Sequence, residues 1–528
     1  ALAMVHFARA KRVLGDPDAA KATAAEALRL LEQRRSMGDN SESDTIALAL
    51  AYVAQAQVME FLNDPNAIVD SQRAAALLQP LVQTPNSTVA ARRAYVETLV
   101  RLGFEQLRNT RSEDSALSLQ LAAKQAADLG ARDLSDFSMA AYYAEANAWR
   151  VEALLSLGRT EEAKRVAEDA AATADKVLAQ RPGYRLALHA QQLLVSDLAT
   201  IAMANLNPAE ALGNAQRAVQ ISLTILDFDP GNLVTTNNLS VARTGLGDVF
   251  WTAGKVREAL PYYDQSLKDA LQIASGGSNL VVTGHYTLAY VVWRHAQLGE
   301  FAAAGAAIDS GKPYLAKLRQ TEPRGSTAVT FVDMLSRAAV ALVAQQRGDD
   351  AAARRIAGEI SAEALQIKLK GGIEAFQKNS VLFFVSGAEG PAAYAQKDYA
   401  GAEKALRAGL AARNAMGSTS QDDHRQLGTL STWLAMAVAR QGRTAEAAKL
   451  IAPVVQLQRG LAARNHGDAW VPVELGFALY AQALTDRAKS PALLHEAAVL
   501  LDSVPAEMRD MHDIRLVRGY ISAERTFR

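Results

Sequence analysis

The sequence predicts an all-α protein, an α-solenoid of about eleven antiparallel helix pairs. Three observations support this fold class. Helix-forming residues such as alanine and leucine dominate the 528 residues, whereas aromatic residues make up only 6%. A short turn pattern recurs at nearly constant intervals along the whole chain. The chain has only 15 prolines, and most of them lie at corners between the expected helices.

The recurring pattern is a turn residue, a few polar residues and then a small residue that opens a second helix. Glycine is the turn residue in six copies: Gly15, Gly158, Gly254, Gly299, Gly348 and Gly442. The small residues lie at positions 20, 67, 116, 163, 211, 259, 304, 353, 402, 447 and 494, and the last of them, Leu494, is a poor match. Their spacing of 45–49 residues predicts a period of about 47–48 residues. One helix pair cannot bury its apolar face alone, so we expect the pairs to stack around a continuous core.

One unit shows the residue pattern best. The order large, small, aromatic, turn glycine, small, aromatic, small is carried by Leu246, Gly247, Phe250, Gly254, Ala259, Tyr263 and Ser266. The chain therefore resembles the tetratricopeptide family, which implies a right-handed superhelix with the first helix of each pair on its concave side. The family's usual period is about 34 residues, so the longer period here implies longer helices or loops. The same unit is similar to repeat arrays at the C-terminal end of large bacterial signalling proteins of the serine/threonine kinase or cyclase type.

Charge and composition narrow the classes of partner. Lysine plus arginine equals aspartate plus glutamate at 56 each, so the basic excess typical of nucleic-acid binding is missing and we expect no nucleic-acid partner. The chain has 0 cysteines, which excludes disulfides and thiolate metal sites. No apolar stretch approaches the roughly 20 residues of a transmembrane helix, so we expect no membrane span within this chain.

The sequence also indicates how the chain is organised into domains. No Ser/Gly linker or charge block divides the chain, so residues 1–528 are predicted to form a single solenoid, with a softer joint near 371–372. The chain opens at Ala1 inside an expected helix, which indicates a fragment of a longer protein. The sequence leaves the compartment open: we expect a soluble domain on the cytoplasmic or the periplasmic side of a larger parent, whose membrane anchor would lie outside this chain.

Catalytic and metal-binding patterns are missing from the sequence. The eight histidines are scattered and form no His-Glu-x-x-His pair. Gly245-Leu246-Gly247 lacks the third glycine and the preceding strand of a dinucleotide fingerprint. We therefore expect a protein that is not an enzyme, with no catalytic residues, no metal and no cofactor.

The resemblance implies that set positions on the first helices line a ligand-binding groove. The residues predicted there are Arg101, Glu105, Glu152, Thr244, Asp248, Trp251, Tyr286, Trp293 and Gln297. Tyr286 and Trp293 are seven residues apart and share one helix face, so with Trp251 they would form an aromatic wall of the groove. In the alternative interpretation these rings fill the gap between adjacent helix pairs. The Lys and Asn pair with which some family members grip a C-terminal carboxylate is missing, so chaperone-tail binding is not expected.

The predicted function is a non-catalytic scaffold or sensor array that binds a protein or peptide and belongs to a larger bacterial signalling protein. One alternative is a receptor domain that binds a small ligand on the concave face. A less supported alternative is an enzyme on a helical-repeat scaffold. The sequence predicts neither the identity of the partner nor the oligomeric state.

Overall fold

The computed structural model describes residues 1–38, 40–62, 64, 66–274, 278–323, 326–369, 372–417 and 421–526. Within these ranges it contains 24 α-helices, a short π-helical segment and no strand. In chain order the α-helices are α1 (Leu2–Val13), α2 (Pro17–Ser36), α3 (Glu42–Phe61), α4 (Ala67–Val82), α5 (Val89–Arg108), α6 (Ser112–Ala126), α7 (Phe137–Ser156), α8 (Thr160–Gln180), α9 (Arg185–Ala204), α10 (Pro208–Phe228), α11 (Leu233–Thr252), α12 (Val256–Ile273), α13 (Ser278–Gln297), α14 (Phe301–Thr321), α15 (Thr327–Arg347), α16 (Asp350–Gln366), α17 (Gly372–Ala395), α18 (Tyr399–Ala415), α19 (Gln421–Arg440), α20 (Thr444–Ala463), α21 (Val471–Ala483), α22 (Ser490–Ser503), α23 (Ala506–Arg509) and α24 (His512–Thr526). The π-helical segment Ala127–Ala131 follows α6.

The helices α1 to α22 form eleven pairs, each made of an odd-numbered first helix and an even-numbered second helix. Each helix packs on the next one along the chain, and neighbouring first helices also pack on each other, as α5 does on α7 and α7 on α9. The all-α solenoid predicted from the sequence is therefore confirmed, as is its number of pairs. After the last pair, the short α23 leads into α24.

The turns within the pairs have the backbone that the sequence pattern predicts. All six turn glycines have left-handed φ angles, from 72° at Gly158 to 84° at Gly442. Leu206 and Lys397 adopt the same conformation without glycine, five residues before the small residues at 211 and 402. In the third pair Thr110 takes this place, so the equivalent small residue is Ser115, one residue before the predicted position.

The small residues are buried where the two helices of a pair approach each other. Ala20, Ala163, Ala211, Ala259, Ala304, Ala353, Ala402 and Ala447 are all 0% exposed. Glycine on the first helix serves the same purpose in pair 6, because a Cβ on Gly247 would lie 2.6 Å from the ring of Tyr263. Tyr263 is itself fully buried. The contact within the pair thus combines a large residue on one helix with a glycine on the other.

Successive turns of the solenoid touch each other. Phe61 of pair 2 packs against Ile273 of pair 6, more than 200 residues away. Farther along, the Ala469 amide donates a hydrogen bond to the carbonyl oxygen of Thr252 at 2.8 Å. The indole ring of Trp470 stacks on that of Trp251, with 5.9 Å between the ring centroids. The pairs therefore curve so tightly that each turn of the superhelix packs on the next.

Two helices are long and apolar enough to cross a membrane when judged by length and composition alone. They are Arg185–Ala204 (α9) and Thr327–Arg347 (α15), and 61% and 56% of their apolar windows are buried inside the fold. The core helix of a water-exposed protein meets the same criterion, so the finding is weak evidence for a membrane span.

The expected softer joint near 371–372 falls partly outside the described residues, since Gly371 is not among them. The single-domain organisation of residues 1–528 stays a prediction.

The contact between Gly247 and Tyr263 can be tested by replacing two glycines of α11. Gly247→Ala should lower the free energy of unfolding by about 1–3 kcal/mol, because the added methyl group would overlap the buried tyrosine ring. Gly245→Ala is the matched control. It meets no atom within 4 Å and should raise the free energy of unfolding by about 0.5–1 kcal/mol through its better helix propensity. Urea denaturation measures both changes, and equal effects of the two variants would contradict the packing described here.

Candidate functional site

The first helices of the pairs form a continuous surface, which we call the inner surface. Its curvature is visible in the first three pairs, where Arg9 of α1 reaches past α3 to form an ion pair with Glu97 of α5 at 2.5 Å. A flat row of helices would keep α1 and α5 apart. The inner surface is therefore concave, as the resemblance implies.

The inner surface of pairs 2–5 carries a group of charged side chains that we call the inner charged cluster. Its members are Glu60 on α3, Arg101, Glu105 and Arg108 on α5, Glu145 and Glu152 on α7, and Asp197 on α9. Helical spacing places the three α5 residues on one face, because they are four and three residues apart. The structure thus brings the predicted site residues Arg101, Glu105 and Glu152 onto one surface.

Arg101 is the most enclosed arginine of this cluster, with 10% of its side chain exposed. Its guanidinium group binds the carboxylate of Glu105, which is 1% exposed, and lies 4.8 Å from the ring centre of Phe104. Burial lowers the pKa of Arg101 to about 9, against the opposing effect of the Glu60 charge. Arg101 and Glu105 therefore form a tight pair at the centre of the cluster.

The other charges of the cluster are only loosely paired. Glu60 lies 3.9 Å from both Arg101 and Arg108, which is too far for a hydrogen bond. Asp197 is 8% exposed, and its Oδ2 has no hydrogen-bond partner. Nε of Arg101 also lacks a partner. The cluster therefore holds donors and acceptors that its own side chains leave unsatisfied.

Burial shifts the pKa of three carboxyl groups on α7 and α9. It raises the pKa of Glu145 to about 7 and that of Glu152 to about 7. The pKa of Asp197 is also raised, first by burial and then by the negative charge of Glu152. Glu145 nevertheless keeps 17% of its side chain exposed. A carboxyl group that faces a narrow, protein-walled space is partly exposed and yet poorly solvated, which accounts for both observations.

His189 of α9 completes the wall of this region. It lies 4.0 Å from Glu145. Burial, together with the positive charge of Arg12 on α1, lowers the pKa of His189 to about 4. The imidazole is therefore neutral at physiological pH and offers a hydrogen bond instead of a charge.

A second group of predicted site residues lies on α11 and α13. Asp248 accepts hydrogen bonds from the hydroxyl groups of Tyr263 at 2.7 Å and Tyr290 at 2.5 Å. The Tyr290 hydroxyl in turn accepts a hydrogen bond from Arg294. The guanidinium group of Arg294 lies 4.4 Å from the ring centre of Trp251. We call these five residues the tyrosine–arginine cluster, and its members bind mainly one another.

The three predicted aromatic residues occupy different places. Trp251 is 2% exposed and lies in the core against Trp470, which comes 219 residues later in the chain. Tyr286 makes an edge contact with Phe384 of pair 9 at 5.3 Å. Trp293 is half-buried against apolar residues of pairs 8 and 9, among them Leu342. All three rings therefore contribute to packing between pairs, and their part in ligand binding stays a prediction.

The two remaining predicted residues also have internal partners. The hydroxyl of Thr244 lies 2.7 Å from that of Ser266 and 3.1 Å from the Ser240 carbonyl oxygen, at the contact between the helices of pair 6. Gln297 is 8% exposed and accepts a hydrogen bond from Arg294 at 3.3 Å. Both side chains support the helices around the tyrosine–arginine cluster.

The C-terminal helix α24 covers the inner surface of pairs 8–11. Its Asp513 accepts hydrogen bonds from Gln345 at 2.9 Å and Gln346 at 3.2 Å, both on α15. Near its other end, Glu524 forms an ion pair with Arg440 of α19 at 2.6 Å. The sequence does not indicate that this helix lies in the groove, because no local pattern shows which surface a final helix covers.

Other residues of the site were also missed. Asp197 lies at a core-like helix position among apolar neighbours. Arg294 is not among the residues predicted for the groove, although its neighbour Trp293 is. A charged residue in an otherwise apolar helix was the available signal for Asp197, because an ionised side chain is rarely buried without a reason. Among the described residues, no group of three or more His, Asp and Glu side chains is arranged to hold a metal ion.

Comparisons with known proteins give only distant likenesses to solved structures. No protein-family model matches the chain, and no curated protein matches it. Among solved structures, a Rap protein complexed with competence and sporulation factor is 11% identical, with 78% of this chain and 98% of that chain covered and a TM-score of 0.45. The apo form of RapI is 11% identical, with 78% and 96% covered and a TM-score of 0.47. Yeast Tom70 is 11% identical, with 99% and 95% covered and a TM-score of 0.31.

All three TM-scores are below 0.5, so these likenesses establish neither a shared site nor a shared ligand. The class of the protein follows from its own structure. Eleven stacked helix pairs, six of them with a turn glycine and most of them with a small residue at the tetratricopeptide position, form a tetratricopeptide-like helical-repeat fold.

The raised pKa of Glu152 predicts a pH dependence of stability. Because the folded-state pKa of about 7 lies above the ordinary value of 4.5, protonated Glu152 stabilises the fold below pH 4.5, and this contribution is lost as the pH rises through about 7. Glu152→Gln removes the ionisable group. Its free energy of unfolding relative to the unmodified chain should therefore increase by roughly 1–3 kcal/mol between about pH 5 and pH 8.

Urea denaturation at several pH values measures this difference. Glu168→Gln, on the exposed side of α8, makes the same chemical change and serves as the control, with no comparable pH-dependent gain expected. Unfolding free energies of Glu152→Gln and the unmodified chain that stay parallel from pH 5 to pH 8 would contradict the description of Glu152 as a poorly solvated carboxyl group.

Proposed function

We propose that the chain binds a peptide or protein partner on the inner surface of pairs 2–5 and performs no chemistry on it. The observation that carries this proposal is the incomplete pairing of buried polar and charged groups there. Asp197 Oδ2 and Arg101 Nε have no hydrogen-bond partner, and Glu60 stands 3.9 Å from two arginines without a hydrogen bond to either.

Such an arrangement is unfavourable in the free protein. A buried polar group without a partner costs about 1–3 kcal/mol, and a charged one costs more. A bound peptide could remove this cost, since its backbone supplies both donors and acceptors and its side chains can supply charges of either sign. Buried polar and charged groups without partners on a concave surface therefore favour a polar, extended ligand over an apolar one.

Along the described first helices of pairs 6–11, fewer buried polar atoms lack a hydrogen-bond partner, and Arg294 Nε and Gln346 Oε1 are among them. Along pairs 8–11 the helix α24 already satisfies Gln345 and Arg440. In pairs 6 and 7 Asp248 accepts two tyrosine hydroxyl groups. Arg294 donates a hydrogen bond to Tyr290 and is enclosed by aromatic rings, although its Nε has no partner. The inner charged cluster is accordingly the part of the inner surface that a partner would complete.

One observation favours the alternative of a small-ligand receptor. A cavity of about 450 Å³ opens beside Arg12 and Gln57, and this volume falls within the range of roughly 300–1,000 Å³ typical of small-molecule sites. A role within a larger bacterial signalling protein rests on the similarity of a single unit and stays a prediction.

Peptide selection tests the proposal. Random twelve-residue peptides displayed on phage would be selected on the full chain, and the affinities of the selected peptides would be measured by fluorescence anisotropy. Arg108→Gln should weaken their binding by roughly tenfold, the loss expected for one charge-assisted contact. Arg108 suits this test because 38% of its side chain is exposed and its contact with Glu60 is loose, so its replacement should leave the fold intact.

Arg217→Gln is the matched control, since Arg217 lies on the second helix of pair 5 with 46% of its side chain exposed. It should leave peptide affinity unchanged. Peptides that bind both variants as tightly as the unmodified chain would show that the partner surface lies elsewhere. No selected peptide, together with binding of small metabolites in a thermal-shift screen, would favour the receptor alternative.

A further inference from the structure

The cavity of about 450 Å³ lies where the first turn of the superhelix closes. Its walls include Arg9 and Arg12 of α1, Gln57 of α3, Arg185 at the start of α9 and Asp229 just after α10. These elements come from pairs 1, 2 and 5. The cavity therefore adjoins the inner charged cluster at its N-terminal end and is bounded by two successive turns.

Arginine dominates the charge of these walls. Arg185 is neutralised by Asp229, which lies 3.3 Å away, and also donates a hydrogen bond to the Phe228 carbonyl oxygen at 3.2 Å. Arg9 forms an ion pair with Glu97 at 2.5 Å, yet its Nε has no hydrogen-bond partner. Two of the three arginines thus have a carboxylate of their own.

Arg12 is the exception. Among the described residues it forms no side-chain ion pair within 4.0 Å, and its Nε is buried without a hydrogen-bond partner. The negative charge that it experiences most strongly belongs to Glu60, which also lies beside Arg101 and Arg108. Burial lowers the pKa of Arg12, the charge of Glu60 opposes this shift, and the neighbouring charge of Arg9 adds to it, so its charged form is only partly compensated. Glu60 thus acts on the guanidinium groups of Arg12, Arg101 and Arg108, and of these Arg101 also has Glu105 as a partner.

We propose that this cavity is an anion-binding site in which Arg12 and Arg9 bind the carboxylate of the partner peptide, its free C-terminus. The planar guanidinium fork matches two carboxylate oxygens, and its hydrogen bonds to an anion are stronger than those to neutral acceptors. Gln57 lines the same cavity, and its amide can turn its NH₂ group towards the anion. The source of the carboxylate rests on the proposed peptide-binding function, whereas the anion site itself does not.

The location of the site links anion binding to the contact between the first and the fifth helix pair. A Cβ on Gly231, in the corner between α10 and α11, would lie 3.8 Å from Leu14 at the end of α1. An anion held between Arg12 and the neighbouring turn would therefore reinforce the contact between the first and the fifth pair. Binding at this site would stabilise the closed turn as well as fix one end of the peptide.

Thermal unfolding of the full chain tests the anion site directly. The melting temperature would be compared in chloride, succinate and inorganic phosphate at equal ionic strength. Succinate should raise it by about 1–3 °C more in the unmodified chain than in Arg12→Gln, because the variant lacks the partly compensated guanidinium group. In chloride Arg12→Gln should be at least as stable as the unmodified chain, since it removes a buried charge without a partner. Arg217→Gln is the control and should respond to succinate as the unmodified chain does.

A second arm identifies the source of the anion. Peptides selected on the chain would be synthesised with a free C-terminal carboxylate and as the C-terminal amide. The amide should bind the unmodified chain about tenfold more weakly, and Arg12→Gln should bind both forms equally.

Each outcome decides one point. Equal succinate and phosphate effects in the unmodified chain and Arg12→Gln would overturn the anion site, since excluded anions stabilise most proteins without a specific site. An Arg12-dependent succinate effect with acid and amide peptides of equal affinity would overturn the peptide as source and assign the site to a free anion. The same succinate effect without any binding peptide would refute the proposed function and leave the anion site standing.

Discussion

The structure depends on one constraint: a single helix pair cannot bury its own apolar face, so every pair must pack closely on its neighbours. Close packing within each pair requires a small residue at the crossing point, and the fully buried Ala163, Ala259 and Ala353 provide it. If both helices of a pair carried large residues at this point, they could not approach each other closely. Gly247 shows this most clearly, because its missing side chain accommodates the ring of Tyr263.

The same constraint determines the electrostatics of the inner surface. Tight stacking curves the array until its turns touch, as at Phe61 with Ile273 and at Trp251 with Trp470. Many side chains on the first helices are then largely buried, although parts of them remain exposed. The raised pKa of Glu145 and the loose pairing around Glu60 are consequences of that geometry. Stacking that buries the apolar side chains thereby also leaves polar groups of the inner surface without hydrogen-bond partners.

The sequence predicted the features that depend on neighbouring residues. Turn glycines and small residues at a fixed spacing indicated the eleven pairs, and spacing along α5 placed Arg101 and Glu105 on one face. It could not predict features that depend on contacts between distant turns. Trp251 is buried by a residue 219 positions away, and α24 reaches the inner surface of α15 through Asp513. No local pattern carries this information, because it depends on the curvature that all the pairs produce together.

The enclosed inner surface depends on closure of the first turn, and covalent cross-linking measures this closure most directly. The chain contains 0 cysteines, so Leu14→Cys combined with Gly231→Cys introduces the only two thiols. A short bismaleimide should link them rapidly within one molecule, because the two positions are in contact although they lie in pair 1 and after pair 5. Leu14→Cys combined with Leu365→Cys, an exposed position on α16, should not cross-link. Equal, slow reaction of both pairs would show an open array and contradict the enclosed inner surface.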